Sequence, residues 1–215
     1  VDTAIGPLAN LTSQPSMNAV VESLRGQERD TGFDPQRLQE LADYWADVRL
    51  RYESFDKGLK VPVTDIYRYE IPGGQYTNLR PQVESLGLGD RFEEVKEMYK
   101  TVNDMLGDPV KVTPSSKVVG DLAIFMVQND LTPENIVERG KALAFPDSVV
   151  SYFKGMMGQP AWGFPEDLQK VVLKGEEPIT CRPGKLLPPV DFDRLEQEVR
   201  KFRDDPERKD LISYA

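Results

Sequence analysis

The sequence predicts a mostly α-helical fold, and three observations carry that prediction. Two apolar stripes run through it: Leu38, Leu41, Trp45, Val48, Tyr52 and Phe55, then Phe92, Val95, Tyr99, Val102 and Leu106. Their intervals of 3 and 4 residues place each set on one side of a helix. Asp34-Pro35, Thr113-Pro114 and Thr132-Pro133 each offer a capping side chain followed by proline at the first helical position. Strand-like patterning is confined to the first few residues and to Pro109–Val112.

In chain order, Val1–Leu11 reads as a strand end running into a loop through Gly6-Pro7. A strand at the first residue, with no partner hairpin, is an unpaired edge. It is expected to be the end of something larger, and to be poorly ordered without neighbours for its backbone hydrogen bonds. Pro15 is placed to start a helix through Leu24, closed by Gly26. The two stripes then predict long helices with core seams, the second ended by Gly107. Further helices are expected over roughly 115–129, which is apolar on most sides and therefore central, and over 133–143. Pro146 opens one to about Met156, and Glu166–Lys174 and Asp191–Phe202 follow. Trp162, Phe164, Ile179, Leu186 and Leu187 make the loops around them too apolar for free linkers. The tail 203–211 is charged and expected to be mobile.

Composition narrows the function. The 215 residues hold 27 Lys+Arg against 36 Asp+Glu, a net charge of -9, which argues against nucleic acid or an anionic membrane as partner. The longest uncharged apolar run is Leu122–Val127, far short of a membrane span. No signal peptide is evident, and the lone Cys181 fits a reducing compartment. There is no histidine, so the commonest general base and metal ligand are both missing. Proton transfer must use a carboxylate, Lys, Tyr, Ser or Thr.

Candidate residues remain ambiguous on chemistry alone. Thr12-Ser13 reads as a helix cap, or as a site at the carboxyl end of a barrel strand. Pro72-Gly73-Gly74-Gln75, whose glycines permit positive φ or a close approach of another segment, reads as a tight turn between helices, or as a loop lining a channel. Thr113, Ser115 and Ser116 resemble an anion-binding helix start but lack the spacing of a phosphate loop, so they read as caps, and Lys117 can meet a carboxylate or a ligand. Tyr44-Trp45 and Tyr67/Tyr69, with Arg68 the single basic residue between the latter pair, read as core or groove residues rather than a nucleic-acid platform.

Six runs taken together are more specific: VDTA…LTSQPSM, EIPGGQYTNL, KVTPSSKVVGDLAIFMVQN, FPDSVVSYFKGMMGQP, FPEDLQKVVLKG and RPG. Over roughly Val1–Val190 their content and order resemble the carboxyltransferase region of biotin-dependent pyruvate carboxylases. The oxaloacetate decarboxylase α subunit and the transcarboxylase barrel subunit share Pro-Gly-Gly but lack the long TPSSKVVGDLA and GQP…LQKVVLKG forms. The resemblance implies a mostly α, multi-helix extension that follows a TIM barrel, with a short remnant of the last barrel strand at Val1–Ala4. It implies three parts: residues 1–14, strand end and catalytic loop; 15–202, the helical funnel; 203–215, a tail toward the next region.

It further implies transfer of a carboxyl group from carboxybiotin to pyruvate, giving oxaloacetate. Thr12 aligns with the family threonine that relays a proton, with Ser13 and Gln14 as neighbours of the biotin pocket. The Ile5–Asn10 run departs from the family's Met-Ser-Gly form. Biotin would arrive on a separate carrier domain. A divalent metal, with the family's histidine pair and carbamylated lysine, would be held by the barrel, so no metal ligand is expected here. Implied partners are the carrier domain, the barrel, pyruvate and, at full length, three further copies in a tetramer. The implied compartment is the cytoplasm, or the mitochondrial matrix in a eukaryote. The chain is then expected to be a fragment, inactive alone. The alternatives are a non-catalytic docking module, or the same region of the decarboxylase or transcarboxylase.

Overall fold

The computed structural model describes residues 1–56 and 65–203, and the expected tail from 204 onward lies outside them. The described residues form ten α-helices joined by loops and short 3-10 turns. They fall into two compact units, Val1–Thr180 and one beginning at Cys181.

In the first unit, α1 (Met17–Leu24) starts two residues after the proline expected to open it. Ser16 is its cap, its Oγ accepting from the Ala19 N–H at 3.4 Å. Pro15 serves the preceding segment instead: its carbonyl accepts from the Ala4 N–H at 3.0 Å, and Met17 N–H donates to the Ala4 carbonyl at 2.7 Å. The strand expected at Val1–Ala4 is thereby reduced to one parallel bridge between Ala4 and Ser16. Ala4 thus finds backbone partners within the chain, where the segment was expected to lack them.

Helix α2 (Pro35–Arg51) begins as its sequence predicts, with Asp34 accepting from Gln36 N–H at 2.9 Å. Its stripe does not become a core seam. Leu38 and Ala42 are buried, whereas Leu41, Trp45, Tyr52 and Phe55 remain exposed. After the short α3 (Asp65–Tyr69), α4 (Gly73–Ser85) starts inside the Pro-Gly-Gly run, with Pro72 as N-cap. The tight turn expected there is the first turn of a helix.

Helix α5 (Phe92–Met105) does bury its stripe, and α6 (Ser115–Gln128) is buried nearly throughout. Helix α6 packs against α5, α8 (Asp147–Phe153) and α4, so it is the central element. Gly120 permits the α4 contact, since a Cβ there would lie 2.5 Å from Gln75 Nε2 and 3.3 Å from Leu79 Cδ1. The one acid in this apolar helix, Asp121, is satisfied on all sides: it accepts from Gln82 Nε2 at 3.0 Å, from Ser148 Oγ and from Lys117 Nζ. A buried carboxylate without such partners would be strongly destabilising.

Two expected caps are otherwise employed. Thr113 does not cap α6; Ser115 Oγ accepts from Val112 N–H at 3.1 Å and ties down the loop before the helix. That loop, Pro109–Val112, was expected to be strand-like, but it turns back on itself through Val112 N–H to the Val110 carbonyl at 3.1 Å. Thr132-Pro133 forms a turn closed by Asn135 Oδ1 on Thr132 N–H at 2.9 Å, so α7 (Ile136–Arg139) is shorter than expected. Helix α9 (Glu166–Leu173) stops at Lys174, which is left-handed at φ 50. Phe164 packs on Tyr152 and Phe153, while Trp162 stays exposed.

The second unit holds a 3-10 turn at Pro183–Leu186 and α10 (Phe192–Arg203). Asp191 Oδ1 accepts from Arg194 N–H at 3.0 Å and so caps α10. Phe192, Leu195 and Val199 on its apolar face are exposed, as are Leu186 and Leu187. The side chain of Phe202, expected on that face, is outside the described set.

Candidate functional site

Thr12 sits in a loop held by short-range backbone bonds. Asn10 N–H donates to the Gln14 carbonyl at 2.7 Å, and Ser13 N–H to the Asn10 carbonyl at 2.8 Å. The turn requires left-handed backbone at two consecutive non-glycine residues, Asn10 (φ 61) and Leu11 (φ 55). Asparagine tolerates that region; leucine adopts it at a cost of about 1–2 kcal/mol. The strain persists only because other contacts hold the loop in place.

One such contact is the glycine motif. A Cβ on Gly73 would lie 2.1 Å from the Thr12 carbonyl oxygen, so only glycine lets the first turn of α4 rest against this loop. One helical turn later, Thr77 Oγ lies 2.9 Å from Thr12 Oγ and 3.1 Å from the Gly73 carbonyl. Neither Thr12 nor Ser13 caps α1, which leaves their hydroxyls available for other bonds.

Both residues line a cavity of about 320 Å³ with Leu8, Leu11, Tyr52, Phe55 and Thr77. Arg49 and Asp56 close one side, paired at 3.0 Å, and Arg49 also donates to the Pro7 carbonyl. Thr12 is half-buried and Ser13 exposed. Gln14 is exposed and does not line the cavity; its carbonyl closes the loop instead. Of the three residues singled out by sequence, two are therefore brought together. Thr77, Arg49, Tyr52 and Phe55 were missed, although Thr77 lies inside the EIPGGQYTNL run, four residues after Gly73 on the same helix face.

The motif is anchored from its other end too. Lys111 Nζ donates to Glu70 Oε2 at 3.2 Å and to Asp108 Oδ1 at 3.1 Å, which joins the start of EIPGGQYTNL to the start of KVTPSSK. Hydrogen bonds from Asn103 and then Lys111 hold the Asp108 carboxyl below the usual range. Burial works against the Lys111 ammonium, but its bonds to Asp108 and Glu70 leave its pKa raised. Lys117 is engaged with Asp121. Among the described residues no three Asp, Glu or Cys side chains converge as a metal site. The cavity offers apolar walls from Leu8, Leu11, Tyr52 and Phe55 and hydroxyls from Thr12, Ser13 and Thr77.

The glycine motif thus braces a helix onto a hydroxyl-bearing loop. Residues 66–215 match the family model described as the conserved carboxylase domain, and the chain belongs to that family. It is 52% identical over 216 residues to pyruvate carboxylase of Bacillus subtilis, and 47% identical over 218 residues to pyruvate carboxylase 1 of Caenorhabditis elegans. In each case the whole chain is covered but only 19% of the relative. The carboxyl transferase domain of Rhizobium etli pyruvate carboxylase, solved with pyruvate and biocytin, superposes with TM-score 0.88 at 49% identity, covering 94% of this chain and 34% of that one. The complete multifunctional enzyme from that organism gives 0.89 at the same identity, with 20% of its chain covered. The chain thus corresponds to a region of the pyruvate carboxylase carboxyltransferase domain.

Proposed function

We propose that this chain supplies the proton-relay loop and helical funnel for carboxyl transfer to pyruvate, forming oxaloacetate in a full-length biotin-dependent carboxylase. Biotin, carried by a separate domain, would supply the mobile carboxyl group. Thr12 and Ser13 would face it, with Tyr52 and Phe55 as apolar walls. The observation that carries the reading is the Thr12 hydroxyl on the cavity wall, braced by Gly73 and bonded to Thr77.

A hydroxyl donates one hydrogen bond while accepting others, so Thr12 Oγ can take up one proton as it releases its own. It never ionises, which suits a cavity with no histidine to act as base. The arrangement is expected to work as a tetramer with metal and pyruvate bound by the rest of the enzyme, in a reducing compartment. In the full-length enzyme Thr12→Ala is expected to lower carboxyl transfer at least about 100-fold, the low end for a proton-transferring group. Tetramers should persist by size-exclusion chromatography. Unchanged turnover in that variant would remove the relay.

A second reading, docking without chemistry, draws on the exposed stripe of α2. It predicts that Thr12→Ala leaves turnover intact while substitutions along α2 disrupt assembly.

A further inference from the structure

Resting on the reading of Thr12 as the relay, we infer that Thr77 is a positioning residue. It sets whether Thr12 offers the cavity a proton or a lone pair. Thr77 Oγ has two neighbours within bonding distance, Thr12 Oγ at 2.9 Å and the Gly73 carbonyl at 3.1 Å. A hydroxyl carries a single proton and cannot donate to both at once. When Thr77 donates to Thr12 Oγ, the Thr12 proton is left to point into the cavity. When Thr77 donates to the Gly73 carbonyl, Thr12 donates to Thr77 Oγ and turns its lone pairs outward. Passing between these states needs only rotation of the two O–H bonds, with every heavy atom in place.

A relay needs both states. In one turnover an O–H bond forms at Thr12 Oγ as another breaks, so Thr12 begins and ends neutral with one proton. That proton then lies on the side from which it arrived, and the hydroxyl must rotate before it can act again. Thr77 offers a bonded route for the reset, because Thr12 exchanges the roles of acceptor and donor toward it. The heavy-atom frame is kept still in both states. Gly73 rests against the Thr12 carbonyl, and branching at Cβ confines the Thr77 side chain to the two rotamers a helical threonine adopts.

The test uses the full-length carboxylase with Thr77→Val, Thr77→Ser and Thr12→Ala, plus the Thr12→Ala/Thr77→Val double variant. Thr77→Val keeps the shape and removes the hydroxyl. It is expected to lower kcat about 10-fold, the scale of one hydrogen bond. The KM for pyruvate should stay within about twofold. The solvent deuterium isotope effect on kcat should rise as proton transfer becomes limiting. Thr77→Ser should restore most of kcat. Thr77→Val should cost nothing more in the Thr12→Ala background, since Thr77 acts through Thr12. Should Thr77→Val fail to fold by circular dichroism, Thr77→Ala is expected to show the same kcat loss and isotope effect. Full kcat in the hydroxyl-less variants, no rescue by serine, or an additive loss in the double variant overturns the role of Thr77 while the relay stands. Full activity in Thr12→Ala removes the relay, and Thr77's role with it.

Discussion

Helices α2 and α5 share one apolar rhythm and meet opposite surroundings. Along α5, Val95, Tyr99 and Val102 are each 0% exposed, locked between α6 and the elements around it. Along α2 and the turn after it, Trp45 is 38% and Phe55 76% exposed. The spacing of apolar residues states that a helix forms and which side chains share a face. It does not state where the partner for that face resides. Helix α5 finds its partner inside the first unit, whereas α2 packs on α1 and Gly6–Leu8 but leaves Leu41, Trp45, Tyr52 and Phe55 of its stripe exposed. Near its C-terminal end that stripe becomes cavity wall through Tyr52 and Phe55. One pattern thus serves a core in one place and a site in the other.

The difference can be broken most forcefully from the buried side. Leu106, at the end of the α5 stripe, is 1% exposed, so Leu106→Ala should cost about 2–5 kcal/mol in urea unfolding of the chain. A cost under about 0.5 kcal/mol, typical of a surface change, would mean that α5 is no core seam.

Next in size are two adjacent glycines of α4. Gly73→Ala would drive a Cβ into the Thr12 backbone, whereas Gly74→Ala meets nothing within 4 Å. The first should destabilise by about 1–3 kcal/mol, as overpacking does, and in the full-length enzyme should depress turnover by displacing Thr12. The second should be neutral or slightly stabilising, by up to about 1 kcal/mol from helix propensity. Equal thermal midpoints for the two variants would show that Gly73 does not brace the loop.

Alkaline pH probes the face of α5 that meets α3. Lys96 Nζ is bonded to Asp65 at 2.7 Å and Glu93 at 2.8 Å, and sits over the rings of Tyr69 and Phe92. Burial opposes its charge, but those bonds leave its folded pKa above the ordinary lysine value. Burial raises Tyr99 and Tyr152 as well. A raised folded pKa favours the protonated state, so this stability is complete below about pH 10 and is lost as pH rises through the folded values. Thermal midpoints should fall progressively above about pH 10, and flat midpoints to pH 11.5 would contradict these contacts.

The smallest effect sharpens the comparison. Leu41→Ser on the exposed α2 stripe should change the stability of the chain by no more than about 0.5 kcal/mol. If the stripe is covered in the full-length enzyme, the same substitution should cost clearly more there. Equal costs in both settings would leave the face solvent-exposed.

Local rules made much of the helix content legible. The Asp34 cap, the α5 period and the stop at Gly107 all act within a few residues and appear as read. Where a rule depended on something distant, the reading slipped. Pro15 was claimed by Ala4, Thr132 by the side chain of Asn135, and Ser115 rather than Thr113 served the loop before α6. The candidate site divided in the same way. Thr12 and Ser13 came from the resemblance, and Gln14 with them, yet its side chain lies away from the cavity wall. Thr77 stands 65 residues from its hydrogen-bond partner, a separation that no local pattern reports.

The sequence by itself determined helical content, the membership of each face, the scarcity of bases and the family. Periodicity, capping and composition are properties of neighbouring residues, and ordered motifs survive without any geometry. Tertiary structure alone decided which stripe is covered and why Gly73 must lack a side chain. It also decided that two threonines share a hydrogen bond at the cavity. Those outcomes depend on how close distant segments come, and that distance is set by the packing of the whole unit.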